Sequence, residues 1–355
     1  MAPSIKTFLC KKNERYYMKV IKCAHTGCKE SVIALSAFCW DHTKDKIEYA
    51  SLLVKYANDG HDLTGANLKK VALKKAHIEK ARLSGADLSQ SDLSYAHFFD
   101  CNLNGAAMIG ADLSNCDFTH SSIRKADLTK ANLANSRLWN SDLTETNLTE
   151  SNLSGSDMWN TKLFKVKLWH TSLAGARSIT KKSFSKGKKL LDIVSINESG
   201  TTSAEESYRD IKQYFISNGM YNDASWASFK EKTMERLAFK KRGDWNYIPS
   251  LVMSGLCGYG EKPYRIILSA FLTILTFAAL YFSFNTVERC GDHAYILKWF
   301  DYVYYSAITF TTVGYGDFIP RAHMGARLLA ALEAFSGVFV TGLFIFTLAR
   351  KYSAR

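Results

Sequence analysis

Residues 61–175 repeat every five positions without an insertion. With Leu63 as the first centre, positions 68, 73, 78 and onward to 173 are Leu, Ile, Phe or Met without exception, which makes 23 repeats. Two residues before nearly every centre sits a small residue, such as Ala66, Ala86, Ser91, Cys101, Ala111, Ala126 and Ser151, and the residue just before the centre is often Asp or Asn. This is neither the 3.6 period of a helix nor the 2 period of an ordinary strand. One large and one small inward position per five residues suit a square coil in which each repeat forms one side. Four repeats per turn give roughly six coils, and a strand spacing of ~4.8 Å makes the rod about 28 Å long. Cys101 and Cys116 occupy small inward positions, so they read as packing residues and not as ligands.

The pattern resembles the pentapeptide-repeat family, and the resemblance implies a right-handed, four-sided β-helix over 61–177. Some members of that family imitate DNA with an acidic surface. Here 13 basic residues face 12 acidic ones over 61–175, so that role lacks its electrostatic basis. A scaffold, spacer or sensor is the better expectation.

The remaining segments are unlike the rod. The chain as a whole is 47% apolar and 22% charged, which excludes disorder, and eight Cys in 355 residues are too dilute for a disulfide scaffold. A net charge of +13 invites a nucleic-acid partner. It divides as +4 over 1–60, +1 over 61–175, +5 over 176–262 and +3 over 263–355, so no dedicated nucleic-acid face emerges and none is expected. The apolar residues are more concentrated. Ile266 to Val287 contains no charge, and Leu328 to Ala349 only Glu333. At ~1.5 Å per residue, each 22-residue run crosses a hydrocarbon core of about 30 Å as a helix. Two spans are therefore expected, over about 264–287 and 325–349, within a pore domain of 264–355. Lys240, Lys241, Arg242, Lys262 and Arg265 precede the first span, while Arg350, Lys351 and Arg355 follow the second. Basic flanks of this kind place both termini in the cytoplasm of a multi-pass protein of the cell membrane.

Between the spans lies Thr312-Val313-Gly314-Tyr315-Gly316-Asp317, preceded by an aromatic-rich stretch from Leu297 to Thr311. Non-helical backbone at membrane depth is tolerated only where it is buried in protein or lines water. Glycines at alternate positions permit backbone angles that let successive carbonyls point toward one axis, where four strands would replace the hydration shell of a potassium ion. The segment resembles the potassium-channel signature, and all five filter residues match. The resemblance implies a pore helix and filter over 297–317, with Tyr304 and Tyr305 as a cuff and Asp317 capping the outer mouth. It also implies a homotetramer, with K+ as the permeant ion. Some two-span bacterial channels carry a Glu in the pore helix behind the filter, where this sequence has Ile308, so inactivation through a Glu–Asp pair is not expected. Gly337 and Gly342 could each act as a hinge of the second span, with Gly337 the candidate, although glycines also occur in such helices simply for close packing. Glu333 should hydrogen-bond to its own or a neighbouring pore helix.

The N-terminal segment, 1–60, carries Cys23, Cys28, Cys39 and His42. This C-x4-C-x10-C-x2-H spacing suits a closed, structural zinc site and looks like a Cys3His knuckle, with Cys10 and His25 as spare ligands. Too short and polar to fold on its own core, the segment should draw much of its stability from the metal. Over 178–243, a Lys-rich stretch (Lys181, Lys182, Lys186, Lys188, Lys189) leads to two helices, about 204–217 and 223–241, turning at Asn218-Gly219. Residues 244–263 are apolar, aromatic and interrupted by glycines, as an interfacial stretch along the inner leaflet would be.

The expected fold class is thus a multidomain membrane protein: a quadrilateral β-helix, a helical connector and an all-α two-span pore domain, tetrameric. The expected function is a potassium channel whose cytoplasmic module regulates gating or assembly, with an unidentified cytoplasmic ligand or protein as partner. A membrane-anchored binding scaffold with a non-conducting pore-like domain is the alternative. A tethered nucleic-acid regulator is the third reading. Glycine loop, nucleophile motif and paired carboxylates of an enzyme are all lacking, so no enzymatic activity is expected.

Overall fold

A computed structural model describes residues 9–12, 15–18, 22–186, 200–291 and 295–353. Lys188, Lys189 and Arg355 lie outside the described residues, as does the side chain of Cys10. Residues Met1–Ala227 form one compact unit and Ser228–Arg355 a second.

The first unit opens with an antiparallel pair, β1 (Leu9–Lys12) and β2 (Arg15–Met18), followed by the cysteine-bearing loop and helix α1 (Lys46–Asn58). Asp45 caps α1 by accepting from the Glu48 amide at 2.8 Å. Tyr49, Leu53 and Ala57, one turn apart, are its buried stripe. The rod follows. Its strands pair in parallel at intervals of 20 residues, from Asp62 with Arg82 to Asp157 with Arg177, so each coil holds four five-residue sides. The pairing is longest at β3 (His77–Glu79) and β4 (His97–Phe99). Centres such as Leu93, Leu103, Leu113 and Leu133 are fully buried, and Phe98 stacks on Phe118 at 5.2 Å one coil away.

The frequent Asp or Asn before each centre has a local cause. Its side chain turns back to accept from the backbone two residues on, as Asp87 Oδ1 does from Ser89 N at 3.0 Å. This satisfies an amide at the corner, where the next residue adopts a positive φ, such as 59° at Gln90. Each coil therefore carries its own turn chemistry as well as its own core.

An exposed coil edge would be a template for pairing, and both ends are covered. At the first coil, Ala34 N donates to Asn67 O at 2.7 Å, Asn67 Nδ2 to Val32 O at 2.8 Å, and Asn58 Nδ2 to His77 O at 2.8 Å. The N-terminal segment is thus hydrogen-bonded to the first coil of the rod. At the far end Leu163 N donates to Ser183 O at 2.6 Å and Phe184 is buried. Helix α2 (Thr201–Ser217) turns at Gly219 into α3 (Tyr221–Arg242), whose Trp226 packs against Phe184 (5.6 Å) and Tyr208 (5.7 Å). The division between units falls inside α3, since its first turns belong to the rod side.

In the second unit, residues 245–263 contain a helix, α4 (Tyr247–Leu256), and then a left-handed turn at Gly258, Tyr259 and Gly260. The first apolar helix is α5 (Pro263–Phe284), the aromatic stretch is α6 (Trp299–Phe310), and the second apolar helix is α7 (Met324–Ser353). Strands β5 (Val287–Arg289) and β6 (Phe318–Pro320) pair antiparallel, tying the end of α5 to the segment after Asp317. Helices α5, α6 and α7 pack together, yet only 17% of the most apolar stretch of either long helix is buried within the chain. An exposed apolar surface of this length belongs in lipid or against other copies.

Candidate functional site

Two places bring chemistry-bearing residues together. The first is the segment that leaves α6. Thr312 N donates to Thr309 O at 3.0 Å, while Val313 N and Gly314 N donate to Ile308 O at 2.9 and 3.3 Å. Amides at the start of the segment are thus turned back onto the end of α6. Thr312, Gly314 and Gly316 have positive φ, at 55°, 51° and 81°. No atom lies within 4 Å of a Cβ built on Gly314 or Gly316, so backbone angle and not space calls for glycine there. Val313 and Tyr315 are 53% and 73% exposed in the single chain. Asp317 is tied to the β5–β6 ribbon, its carbonyl accepting from Cys290 N at 2.9 Å.

Behind this segment the three helices meet at Glu333. It is fully buried on α7 and is bonded by Tyr281 Oη of α5 at 2.6 Å and by the Ser306 hydroxyl of α6. The expected hydrogen bond to the aromatic helix α6 of its own chain is therefore seen, but the partner on α5 was not legible. Tyr281 hides in an apolar run, and its only mark is a hydroxyl that needs a buried acceptor. A second node lies nearer the β5–β6 ribbon: Tyr302 Oη and Arg321 Nη2 both reach Asn285 Oδ1 at 3.2 Å. The two expected cuff residues diverge. Tyr305 is buried edge-on against Tyr281 at 5.0 Å, and half-exposed Tyr304 packs on Phe318 at 5.8 Å.

Gly337 is a point of close approach. A Cβ there would lie 1.8 Å from Phe310 O at the end of α6, while at Gly342 nothing lies within 4 Å. Helix α7 runs unbroken through both. Gly337 is thus packed closely on the end of α6 within the chain, while Gly342 has open space around it.

The second place is the N-terminal loop. The ligand atoms of Cys23, Cys28, Cys39 and His42 lie within 4.8 Å of one another. Cys28 Sγ is 3.8 Å from Cys39 Sγ, and His42 Nδ1 is 3.1 and 3.6 Å from the sulfurs of Cys39 and Cys23. A tetrahedral zinc with Zn–S bonds of ~2.3 Å has sulfur–sulfur edges of ~3.8 Å, so the donor set and its spacing fit the metal. The spare candidate His25 is stacked on His42, with ring centroids 3.9 Å apart, and stands beside the cluster instead of within it. The two rod cysteines are buried: Cys116 Sγ donates to Leu93 O at 2.9 Å, and burial pushes the Cys101 and Cys116 thiols up to about 11 and 12.

Comparison with known proteins agrees with this geometry. The ion-channel family model matches residues 269–354, and the pentapeptide-repeat model matches 62–94, 96–135, 131–169 and 141–177. HetL, a pentapeptide repeat protein from Nostoc sp. strain PCC 7120 involved in heterocyst differentiation regulation, is 30% identical over 31% of this chain and 48% of its own, with a TM-score of 0.30. A pentapeptide repeat protein of the Arabidopsis thaliana thylakoid lumen is also 30% identical, over 29% of this chain and 64% of its own, with a TM-score of 0.16. The chain thus spans about half to two thirds of the length of these solved relatives. A comparison with curated proteins found none that matches. The chain therefore carries a pentapeptide-repeat domain followed by an ion-channel domain with two apolar helices fit to span a membrane.

Proposed function

We propose that this chain is one quarter of a potassium-selective channel in the cell membrane, with both termini cytoplasmic and the repeat module regulating its gating or assembly. The observation that carries the reading is the Thr312–Gly316 segment itself, with left-handed angles at every second residue between a pore-helix end and Asp317. Alternation of hand turns successive peptide planes the same way, so that carbonyls, and not amides, face one direction. Four copies around an axis would then supply rings of oxygens sized for a dehydrated potassium ion, with the Thr312 hydroxyl as the innermost ring. The exposure of Val313 and Tyr315 is what a segment awaiting three neighbours would show.

The chain's own residues hold that segment in place. Glu333 fixes α6 between α5 and α7 through Ser306 and Tyr281, and Asn285 with Tyr302 and Arg321 fixes the outer end. This two-point support stands where related channels place a pore-helix Glu against the mouth Asp, and Ile308 makes that pair impossible here. Cys23, Cys28, Cys39 and His42 would hold a zinc ion that stabilises the cap on the first coil. Regulation would reach the pore through α3, whose Phe229 lies under the ammonium of Lys262 at 3.9 Å, one residue before α5.

The test is flux into liposomes that contain the purified protein. Potassium flux that sodium cannot replace, and that barium blocks, supports the reading. No flux in any state, together with tight binding to a cytoplasmic partner, would support the scaffold instead. Deleting residues 1–200 without changing open probability under any condition would remove the regulatory role alone.

A further inference from the structure

The three sulfurs of the N-terminal cluster are unequally sheltered. Cys23 and Cys39 are buried, at 7% and 4% exposure, while Cys28 is half-buried and follows the exposed residues 25–27. Cys39 N donates to Cys23 Sγ at 3.3 Å, which ties that sulfur to the backbone. Cys28 Sγ stands 3.8 Å from Cys39 Sγ, across 11 residues of chain. The cysteines of the rod are placed differently: Cys101 and Cys116 are buried and donate to the carbonyls of Ile78 and Leu93. In the cluster, then, one reachable sulfur lies beside a sheltered one.

The segment that this cluster closes is held on one side by hydrogen bonds more than by packing. A cleft of about 320 Å³ runs between it and the first coil, lined by Val32, Ile33, Leu35, Trp40, Asn67 and Lys69. Leu35 adopts a φ of 60°, a left-handed angle that an L side chain disfavours. The segment reaches the coil through the paired bonds of Ala34 and Val32 with Asn67, at 2.7 and 2.8 Å, and through the exposed ion pair of Lys70 with Asp41 at 3.3 Å. Ala24 N donates to Ala37 O and Ile33 N to Phe38 O, both at 3.1 Å, so residues 31–38 take their place from the chain that flanks the cysteines. Ordering such a loop costs conformational entropy, which four ligands on one ion would offset.

We propose that Cys28 and Cys39 are an oxidation site for small peroxides, and that the disulfide they form expels the metal and frees residues 31–38 from the first coil. The expulsion rests on the zinc reading above; the pairing of the two sulfurs does not. The Cys28 thiolate attacks one peroxide oxygen, so that an S–O bond forms, the O–O bond breaks and the other oxygen leaves as hydroxide. The Cys39 thiolate then attacks the Cys28 sulfur, forming the S–S bond and displacing the second oxygen as hydroxide. Two thiolates lose two electrons, one peroxide gains them, and two protons from solvent complete two waters. Cys23 and His42 are then the remaining pair of ligands, too few for a structural zinc. A half-buried first sulfur and a buried second one admit a two-oxygen molecule and crowd a bulky disulfide, so glutathione disulfide should react slowly.

The experiment treats full-length Cys290→Ser protein, purified with zinc present, with a small molar excess of hydrogen peroxide. A colorimetric chelator follows zinc, peptide mass mapping locates the oxidised sulfurs, and amide hydrogen exchange follows the peptide that contains Ile33 and Ala34. Expected are one zinc released and one Cys28–Cys39 bond formed per chain, with that peptide exchanging at least roughly tenfold faster while peptides from the middle of the rod stay unchanged. Dithiothreitol with added zinc should restore the starting state. Thiols that survive the peroxide, a bond that maps to Cys23, or oxidised sulfur without a disulfide would each overturn the site. Zinc loss and the mapped bond with unchanged exchange at Ile33 and Ala34 would overturn the unlocking. Protein that never holds zinc yet forms the Cys28–Cys39 bond overturns the zinc reading and leaves the oxidation site standing. Glutathione disulfide reacting as fast as peroxide would overturn the preference for a small oxidant.

Discussion

The rod and the pore domain solve opposite problems. Each coil of the rod buries its own Leu centres, satisfies its own corner amides and pairs with the coil above, and both ends are capped within one chain. The pore domain leaves Phe335 73% exposed, along with Val313 and Tyr315. One is finished by local chemistry; the other leaves two long apolar helices largely unburied within the chain. A rod substitution should therefore change melting without touching ion selectivity, and a pore substitution should do the reverse.

Several substitutions would break or sharpen that contrast, and they differ in expected size. Replacing Cys39 with Ser removes one ligand of the proposed zinc site; loss of the cap on the first coil should lower the melting temperature of the rod by ten degrees or more, since structural zinc contributes on the order of 10 kcal/mol to small knuckles. Chelator should reproduce the effect, and an unchanged melting curve with no metal released would refute the site. Leu138→Ala deletes a fully buried side chain, which costs about 2–5 kcal/mol, and denaturant unfolding should register that loss while filter selectivity stays intact. In the pore, Gly337→Ala places a methyl group against Phe310 O and should cost on the order of 3 kcal/mol of assembly or reduce flux strongly, whereas Gly342→Ala should be tolerated. Equal tolerance at both would deny the close-packing role. Glu333→Ala leaves the Tyr281 hydroxyl without its acceptor, at about 1–3 kcal/mol, and the unfolding temperature of the helical unit should fall accordingly.

The smallest effect lies on the rod surface. Burial raises the Asp117 carboxyl, but bonds from Thr119 and the Arg137 guanidinium at 2.9 Å outweigh it and hold the group below its ordinary value. A depressed folded-state value contributes stability above the unfolded carboxylate value of ~3.9 and loses it as pH falls through the folded value. Arg137→Ala should cost under about 1 kcal/mol at neutral pH and nothing at a pH low enough to protonate the carboxyl. Equal loss at both pH values would show that packing on Trp139, and not charge, sets the effect.

What was readable in advance follows the same division. Five-residue recurrence specified a 20-residue coil because each side repeats its own inward pair, and no distant residue has to be known. Uncharged length identified α5 and α7, and the filter signature placed the segment after α6. Partners that meet only in three dimensions were hidden. Tyr281, Ser306 and Asn285 carry no spacing that singles them out, and Trp226 shows its role only once Phe184 is beside it. Helix α1 was different, because Tyr49, Leu53 and Ala57 stand at a helical spacing that would have revealed it. The cysteine spacing of the N-terminal segment gives no sign that its hydrogen bonds run to Asn67 and His77 of the rod.

The central claim is that four copies of Thr312–Gly316 select potassium. Purified protein in liposomes, under a potassium gradient and then under an equal sodium gradient, tests it most directly. The account predicts barium-sensitive flux with potassium at least tenfold above sodium, and loss of that preference in Gly316→Ala, where a side chain must adopt φ near 81°. Equal flux of the two ions, or potassium selectivity that survives Gly316→Ala, would contradict it.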